Sequence, residues 1–215
     1  MDPREALPLH PTIGPQPAER SDAARNRAKL IATARRIIDL DGVEGLTMDR
    51  LATEAGVGKG TVFRRFGSRA GLCQTLLDDV ERDFQGRFLS GPPPLGPGAP
   101  PLERLVAFGR ARIDTLWQQG ALLRAAEVPT ESHFEVPARK VVELHLVTLL
   151  REAGATGDLP VLAFNLLSVL EGILLMPPGF GSGRAGASGS PAASPGFRIA
   201  RFADGWEDLV RRLLS

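Results

Sequence analysis

Residues 45–72 have the sequence GLTMDRLATEAGVGKGTVFRRFGSRAGL, and this stretch decides the fold of the chain. It predicts two short helices, at about residues 47–55 and 59–66, on either side of the sequence Gly56-Val57-Gly58. Thr47 is a typical N-cap residue, because its hydroxyl can accept a hydrogen bond from a free backbone N–H of the first helical turn. Two short helices joined by a tight glycine turn indicate a helix-turn-helix.

The second of these helices has two different faces. Val62 and Phe66 are four residues apart and are predicted to point inward. Thr61, Arg64 and Arg65 are spaced to share the outer face. A short helix that carries arginines outward fits the major groove of DNA, where arginine can pair with guanine through two hydrogen bonds.

The charge around this helix supports a nucleic-acid surface. The whole chain has 26 basic and 25 acidic residues, so its net charge of +1 favours no particular partner. Residues 56–70, however, contain four basic side chains and no acidic one. Residues 20–36 contain six basic side chains and one acidic one. Such a local basic stripe is what DNA binding requires.

Helical spacing of apolar residues continues along the chain, and it predicts an all-α fold. The predicted helices cover residues 22–40, 47–55, 59–66, 68–90, 102–119, 121–128, 136–153, 159–176 and 198–214. The predicted organisation is a flexible tail at 1–20, a DNA-binding domain at 21–67, a connecting helix at 68–90, a Pro/Gly linker at 91–101, and a ligand-binding and dimerisation domain at 102–215 with a mobile loop at 177–196.

Composition indicates a cytoplasmic protein. Cys73 is the only cysteine, so no disulfide can form within the chain, which fits a reducing compartment. The first 20 residues are rich in proline and lack the apolar stretch of a secretory signal. The longest apolar stretch, residues 159–176, is too short and too polar to span a bilayer.

The stretch from about Leu30 to Leu77 resembles the TetR family of bacterial regulators. The resemblance rests on the first helix ending in Asp-Gly, on Leu-Thr before the second helix, on the Ala-Gly-Val turn, and on the run GKGTVFRRF followed by SRAGL. It implies a three-helix DNA-binding head, a connecting fourth helix, and a larger helical domain that binds an inducer and dimerises.

The resemblance also implies individual DNA contacts. It implies phosphate contacts from Thr47, Phe63 and Arg69. The implied base contacts are Lys59, Gly60, Thr61, Arg64 and Arg65. Family members often have tyrosine where this chain has Phe63, which keeps the apolar packing but loses a hydroxyl hydrogen bond worth ~1 kcal/mol. Burial of Phe63 inside the head is the alternative interpretation.

Two further surfaces are predicted in the C-terminal domain. The apolar helices at 159–176 and 198–214 are expected to pair with a second copy of the chain, and burial of both inside one core is the alternative. The residues expected to line a pocket for a hydrophobic or amphipathic inducer are Phe108, Leu116, Trp117, Phe134, His145, Leu149, Asn165 and Ser168, most of which would serve equally as ordinary core.

Enzymatic motifs fail on their context. Residues 181–186 match GxGxxG, but no strand precedes them. The sequence Gly58-Lys59-Gly60 lacks the hydroxyl residue that follows lysine in a phosphate-binding loop. The histidines show no metal-ligand spacing, and no nucleophile–base arrangement emerges. We therefore expect no catalytic residue, no metal and no cofactor.

The predicted function is sequence-specific DNA binding by a homodimeric transcriptional regulator, as a repressor that a small molecule releases from its operator. In a second interpretation the C-terminal domain only dimerises or binds a protein partner. In a third, the chain is a helical protein-interaction module whose basic head does not bind DNA.

Overall fold

The computed structural model describes residues 17–126, 137–175 and 195–215, and this part of the chain contains helices and no strand. This confirms the predicted all-α fold. The helices are α1 (Pro17–Asp41), α2 (Met48–Ala55), α3 (Lys59–Phe66), α4 (Arg69–Ser90), α5 (Pro101–Ala125), α6 (Pro137–Glu152), α7 (Leu159–Glu171) and α8 (Pro195–Leu213). Short 3-10 turns occur at Val43–Gly45 and Gly172–Leu175. Each helix in these ranges is too short or too polar to cross a lipid bilayer.

The chain divides into two compact units between Arg65 and Phe66. We call the first unit the head. Its core consists of apolar side chains from α1, α2, α3 and the residues that join them. The fully or almost fully buried ones are Leu30, Ile31, Ala34, Ile37, Leu46, Leu51, Ala52, Ala55 and Val62.

The turn between α2 and α3 forms as its residue types predict. The hydroxyl oxygen of Thr47 accepts a hydrogen bond from the backbone N–H of Arg50 at 3.1 Å and so caps α2. Gly56 ends α2 in the left-handed conformation, with a φ of 64°, which glycine adopts without steric cost. Its N–H bonds to the carbonyl of Thr53 at 3.1 Å, and that of Val57 bonds to Ala52 at 3.0 Å. These bonds fix the direction in which α3 leaves the turn.

Arg50 joins the end of α1 to α2 within the head. Its guanidinium lies 2.5 Å from a carboxylate oxygen of Asp41 and 2.6 Å from one of Glu54. Arg36 of α1 reaches the other oxygen of Glu54 at 2.9 Å. Because the four groups form a network of alternating charge, they hold α2 in place more firmly than an isolated surface pair would.

The second unit is built around α5, which packs against α4, α6, α7 and α8. On α4, Leu72, Leu76, Phe84 and Phe88 lie at multiples of four residues and are buried, whereas Val80 in the same series is half-buried. The other helices of this unit contribute further buried side chains. The larger of these are Leu105, Phe108, Ile113, Leu116, Val142, Leu146, Leu149, Leu150, Leu166, Leu167, Leu170, Trp206 and Val210.

Two helix boundaries differ from the predicted ones near the start and the middle of the chain. Helix α1 begins at Pro17, so the last residues of the predicted 1–20 tail are helical. Proline suits a first helical turn because its missing N–H would have no helical partner there. Residues 1–16 lie outside the described part of the chain. Residues 102–119 and 121–125 form one continuous helix, since Gly120 stays helical and does not end it.

Two further boundaries differ near the C-terminus. The helix predicted at 159–176 leaves α-helical geometry at Gly172 and continues as a 3-10 turn to Leu175. Glycine at that position lowers the helical propensity of the segment. The predicted loop at 177–196 is shorter at its end, because α8 already begins at Pro195, and residues 177–194 lie outside the described residues.

Helices α5 and α8 approach each other closely at Gly109. The indole Nε1 of Trp206 donates a buried hydrogen bond to the carbonyl of Leu105 at 3.0 Å. A Cβ added at Gly109 would lie 1.9 Å from that Nε1 atom. Glycine is therefore required here by the tryptophan that crosses it.

We expect Gly109→Ala to lower the free energy of unfolding by about 1–3 kcal/mol, because overpacking displaces Trp206 by more than alanine gains in helix propensity. Thermal or denaturant unfolding measures the change. Gly120→Ala is the matched control in the same helix, since its nearest neighbour is 3.7 Å away at the end of the Arg124 side chain. It should raise stability by about 0.5–1 kcal/mol. Equal effects of the two substitutions would contradict the tight contact.

Candidate nucleic-acid interface

Helix α3 presents a basic outer face. Val62 is completely buried, whereas Lys59, Gly60, Arg64 and Arg65 are exposed. Thr61, which was predicted to share the outer face, is half-buried. Phe66, at the end of the helix, is buried as predicted. Since α3 contains three basic residues and no acidic one, its exposed side is suited to a polyanion.

Phe63 lies on the outside of the head, because 41% of its surface is exposed. The ammonium group of Lys59 lies 5.9 Å from the centre of its ring, within the range of a weak cation–π contact. The alternative of a phenylalanine hidden in the head is therefore wrong. The ring is placed where it can pack against a sugar.

Lys59 forms an ion pair with Asp49 that sequence analysis did not predict. The lysine Nζ lies 2.7 Å from one carboxylate oxygen and 2.8 Å from the other, and both side chains are more than half exposed. The two residues come from the first turns of α2 and α3, so the pair crosses the helix-turn-helix. In the sequence, this pair is indicated only by an acidic residue, Asp49, near the start of α2 and a lysine, Lys59, at the start of α3.

Thr47, whose side chain caps α2, is exposed. Its oxygen accepts from Arg50, so the hydroxyl hydrogen stays available to donate to a phosphate oxygen. Thr47 therefore caps α2 and keeps one exposed hydrogen-bond donor. Arg69 belongs to the second unit, where it is the first residue of α4 and half-buried. Ser68 caps that helix by accepting from the N–H of Gly71 at 3.1 Å.

The predicted pocket residues separate into groups. Phe108, Leu116, His145 and Leu149 are buried in the core of the second unit, and Trp117 packs against that core while partly exposed. The other described members lie on α7: Asn165 is exposed, and Ser168 is half-buried and donates its hydroxyl to the carbonyl of Phe164 at 2.8 Å. Phe134 lies outside the described residues.

Two arginines of α5 in the second unit, the buried Arg112 and the half-buried Arg104, were not predicted as site residues. Arg112 of α5 lies 2.6 Å from Glu81 of α4 and 5.2 Å from the ring centre of Phe84. Arg104 of α5 pairs with Glu152 of α6 at 3.9 Å. Arginine in an amphipathic helix normally points to solvent, so the burial of Arg112 depends on packing between helices that the sequence pattern does not encode.

Most of the head and the first residues of α4 are similar in sequence to known regulatory proteins. Residues 30–76 match the family described as bacterial regulatory proteins, tetR family. A stretch of 65 residues is 41% identical to an HTH-type transcriptional regulator of Staphylococcus aureus (strain USA300). A regulator of the same description from strain NCTC 8325 / PS 47 is equally similar. The match covers 30% of this chain and 34% of the relative, so it spans about a third of the curated relative's length.

Solved structures share the fold of nearly the whole chain. A TetR-family transcriptional regulator from Pectobacterium atrosepticum superposes with a TM-score of 0.66 at 18% identity, over 90% of this chain and 96% of that one. A TetR transcriptional regulator from Streptomyces coelicolor superposes with a TM-score of 0.52 at 23% identity, over 86% and 97% of the two chains. Residues 30–76 are therefore similar to the tetR family of bacterial regulatory proteins, and the chain shares the fold of the solved TetR-family structures.

Proposed function

We propose that the chain is a sequence-specific DNA-binding transcriptional repressor, which a small hydrophobic or amphipathic ligand releases from its operator. The observation that carries the DNA-binding part is the exposed basic face of α3 over the buried Val62. A regulator of this kind acts where DNA is, and the proposed location is the cytoplasm.

The proposed contacts divide by their chemistry. Arg64 and Arg65 read base edges, because a guanidinium can give two hydrogen bonds to the O6 and N7 atoms of guanine. Lys59, Gly60 and Thr61 contribute to base contacts at the start of α3. The exposed N–H groups of that helix end also favour negative charge. Thr47, Phe63 and Arg69 contact the sugar–phosphate backbone, which positions the head without reading sequence.

Lys59 must exchange partners when DNA binds. In the free chain its charge is balanced by Asp49 at 2.7 Å. An exposed pair of this kind contributes only about 0–1 kcal/mol, so a phosphate or a guanine edge can replace the carboxylate at small cost. Asp49 then lies close to the DNA. Its negative charge disfavours any position of the head along the DNA in which Lys59 has no hydrogen-bond acceptor.

The chain is proposed to act as a homodimer through α7 and α8. Val161, Phe164 and Val169 of α7 are each about half exposed, at 52%, 49% and 58%. Leu209 and Leu213 of α8 are also large apolar side chains left exposed in the single chain. Apolar side chains concentrated on two helices are typical of a protein–protein interface, and two identical heads would read two half-sites of an operator.

The second candidate is a DNA-binding regulator whose C-terminal domain only dimerises or binds a protein. The same head and the same exposed apolar side chains of α7 and α8 support it. It differs from the first candidate only in having no small-molecule ligand that releases the DNA. The two candidates are separated by small molecules added to the protein–operator complex, because only the first predicts release of DNA.

Arg64→Ala should change the sequence preference of the protein, whereas Arg69→Ala should weaken binding to all duplexes by a similar factor. Loss of a two-pronged arginine–guanine contact costs about 1–3 kcal/mol at one base pair, and a phosphate contact carries no sequence information. The measurement is selection of binding sites from a random duplex pool, followed by titration of the selected and a scrambled duplex.

Arg151→Ala is the matched control, since Arg151 is an exposed arginine at the end of α6. It should leave affinity and preference unchanged. If the dimer makes six or more phosphate contacts, raising salt from about 50 to 200 mM should lower the affinity of the unsubstituted protein about 10³-fold or more. An Arg64→Ala protein that keeps the original ratio of selected to scrambled binding would remove Arg64 from the base-reading residues.

Val169→Glu should convert the dimer to monomer at micromolar concentration, because a charge buried in an apolar interface without a partner is strongly destabilising. Leu40→Glu is the control: Leu40 is 67% exposed but lies on α1 of the head. Sedimentation equilibrium measures the mass of each protein. A monomeric unsubstituted chain, or a Val169→Glu protein that remains dimeric, would contradict the proposed interface.

A further inference from the structure

Asp49 places a carboxylate beside the basic residues of α3. It is the second residue of α2, and 65% of its side chain is exposed. Its two oxygens lie 2.7 and 2.8 Å from the Nζ atom of Lys59, the first residue of α3. Both residues belong to the head, so the structure defines the position of this carboxylate relative to the proposed base-reading helix.

The carboxylate of Asp49 contributes little to the stability of the head. Glu54, the other acidic residue of α2, is only 23% exposed and pairs with Arg36 and Arg50, so it joins α1 to α2. The pair of Asp49 with Lys59 is exposed on both sides, and water competes for both of its charges. Asp49 is therefore available for a contact with whatever the head binds.

When Lys59 donates to DNA, the carboxylate of Asp49 needs another donor. In the major groove the bases offer two amino groups, N4 of cytosine and N6 of adenine. Adenine N6 lies between two acceptors, its own N7 and O4 of the paired thymine, and both repel a carboxylate. Cytosine N4 has an acceptor on one side only, which is O6 of the paired guanine. Cytosine is therefore the better partner for Asp49.

The spacing of Lys59 and Asp49 matches one G·C base pair. Guanine O6 and cytosine N4 are hydrogen-bonded to each other, so they lie about 2.9 Å apart. On the head, the lysine nitrogen and the carboxylate oxygens are separated by 2.7 and 2.8 Å. A donor and an acceptor side by side on the protein can thus meet an acceptor and a donor side by side on one base pair. The reversed base pair places donor against donor, so the match also selects an orientation.

We propose that Asp49 is a specificity-determining residue that reads a cytosine in the operator. Its carboxylate accepts a hydrogen bond from the N4 hydrogen that is not used in pairing with guanine, while Lys59 donates to O6 of that guanine. This proposal rests on the DNA-binding function above. It adds a residue of α2 to the base-reading surface, and it assigns that residue one base.

The first test selects binding sites from a random duplex pool with the unsubstituted chain and with Asp49→Ala. The unsubstituted chain should prefer cytosine over the other bases at one position of each half-site by about tenfold, and Asp49→Ala should lose that preference while keeping the others. The ratio of affinities is the measure, because removal of a negative charge strengthens binding to any duplex. Asp39→Ala, which removes an exposed acid of α1 in the head, is the matched control and should keep every preference.

The second test changes the base and leaves the protein intact. N4-methylcytosine at the selected position keeps its pairing with guanine and replaces the major-groove hydrogen by a methyl group. It should weaken binding of the unsubstituted chain about tenfold and that of Asp49→Ala less than about twofold. The two proteins and two duplexes form a double-mutant cycle, so any effect of the methyl group on the duplex itself cancels.

The proposal is overturned if Asp49→Ala tightens all duplexes by one factor and keeps the cytosine preference, since Asp49 would then only balance the charge of Lys59. An equal effect of N4-methylation on the two proteins overturns it as well. Either result leaves the proposed function standing, because the unsubstituted chain still selects a sequence. Failure of the unsubstituted chain to select any sequence would instead overturn DNA reading itself, and this proposal with it.

Discussion

Burial of Val62 is the constraint on which the rest of the head depends. A helix turns by about 100° per residue, so a side chain fixed against the core determines where all of its neighbours point. With Val62 inward, Gly60 and Arg64, two residues to either side, lie on the opposite side of α3. The glycine turn at Gly56 and the cap at Thr47 set the direction of the helix, and Val62 sets its rotation. The side chains proposed to read bases need both the direction and the rotation of α3 to be fixed, because a loosely held arginine cannot select a base.

The parts of the fold that follow from local chemistry were predictable from the sequence. Thr47 and Ser68 cap their helices, Gly56 takes the left-handed conformation, and α3 has its predicted bounds. Each of these depends on residues within a few positions of one another. Gly120 was a wrong prediction of a helix end, because packing of α5 against four helices outweighs the modest cost of one glycine.

Contacts between residues distant in sequence were not predictable. Trp206 crosses Gly109 and bonds to Leu105, about a hundred positions away, and no spacing rule connects them. The Lys59–Asp49 pair and the burial of Arg112 beside Glu81 likewise depend on how helices meet. In the candidate interface the sequence identified the cations of α3 and missed the carboxylate that balances one of them. In the second unit, the pocket candidates His145 and Phe108 are buried, and the ion pair between Arg112 and Glu81 was not predicted.

In the head, complete burial of Val62 and the ion pairs of Arg50 hold α2 and α3 in a defined orientation. In the described part of the second unit, the Nε2 atom of His145 and the Nε atom of Arg112 are buried without a hydrogen-bond partner, which lowers the stability of this unit.

The central claim, that the outer face of α3 reads DNA as part of a symmetric pair, is tested most directly by hydroxyl-radical footprinting of the full chain on a duplex selected from a random pool. The account predicts two equivalent protected stretches whose centres lie about 10 base pairs, or a multiple of that, apart. Even protection along the duplex, or no protection at concentrations where the protein is dimeric, would contradict it.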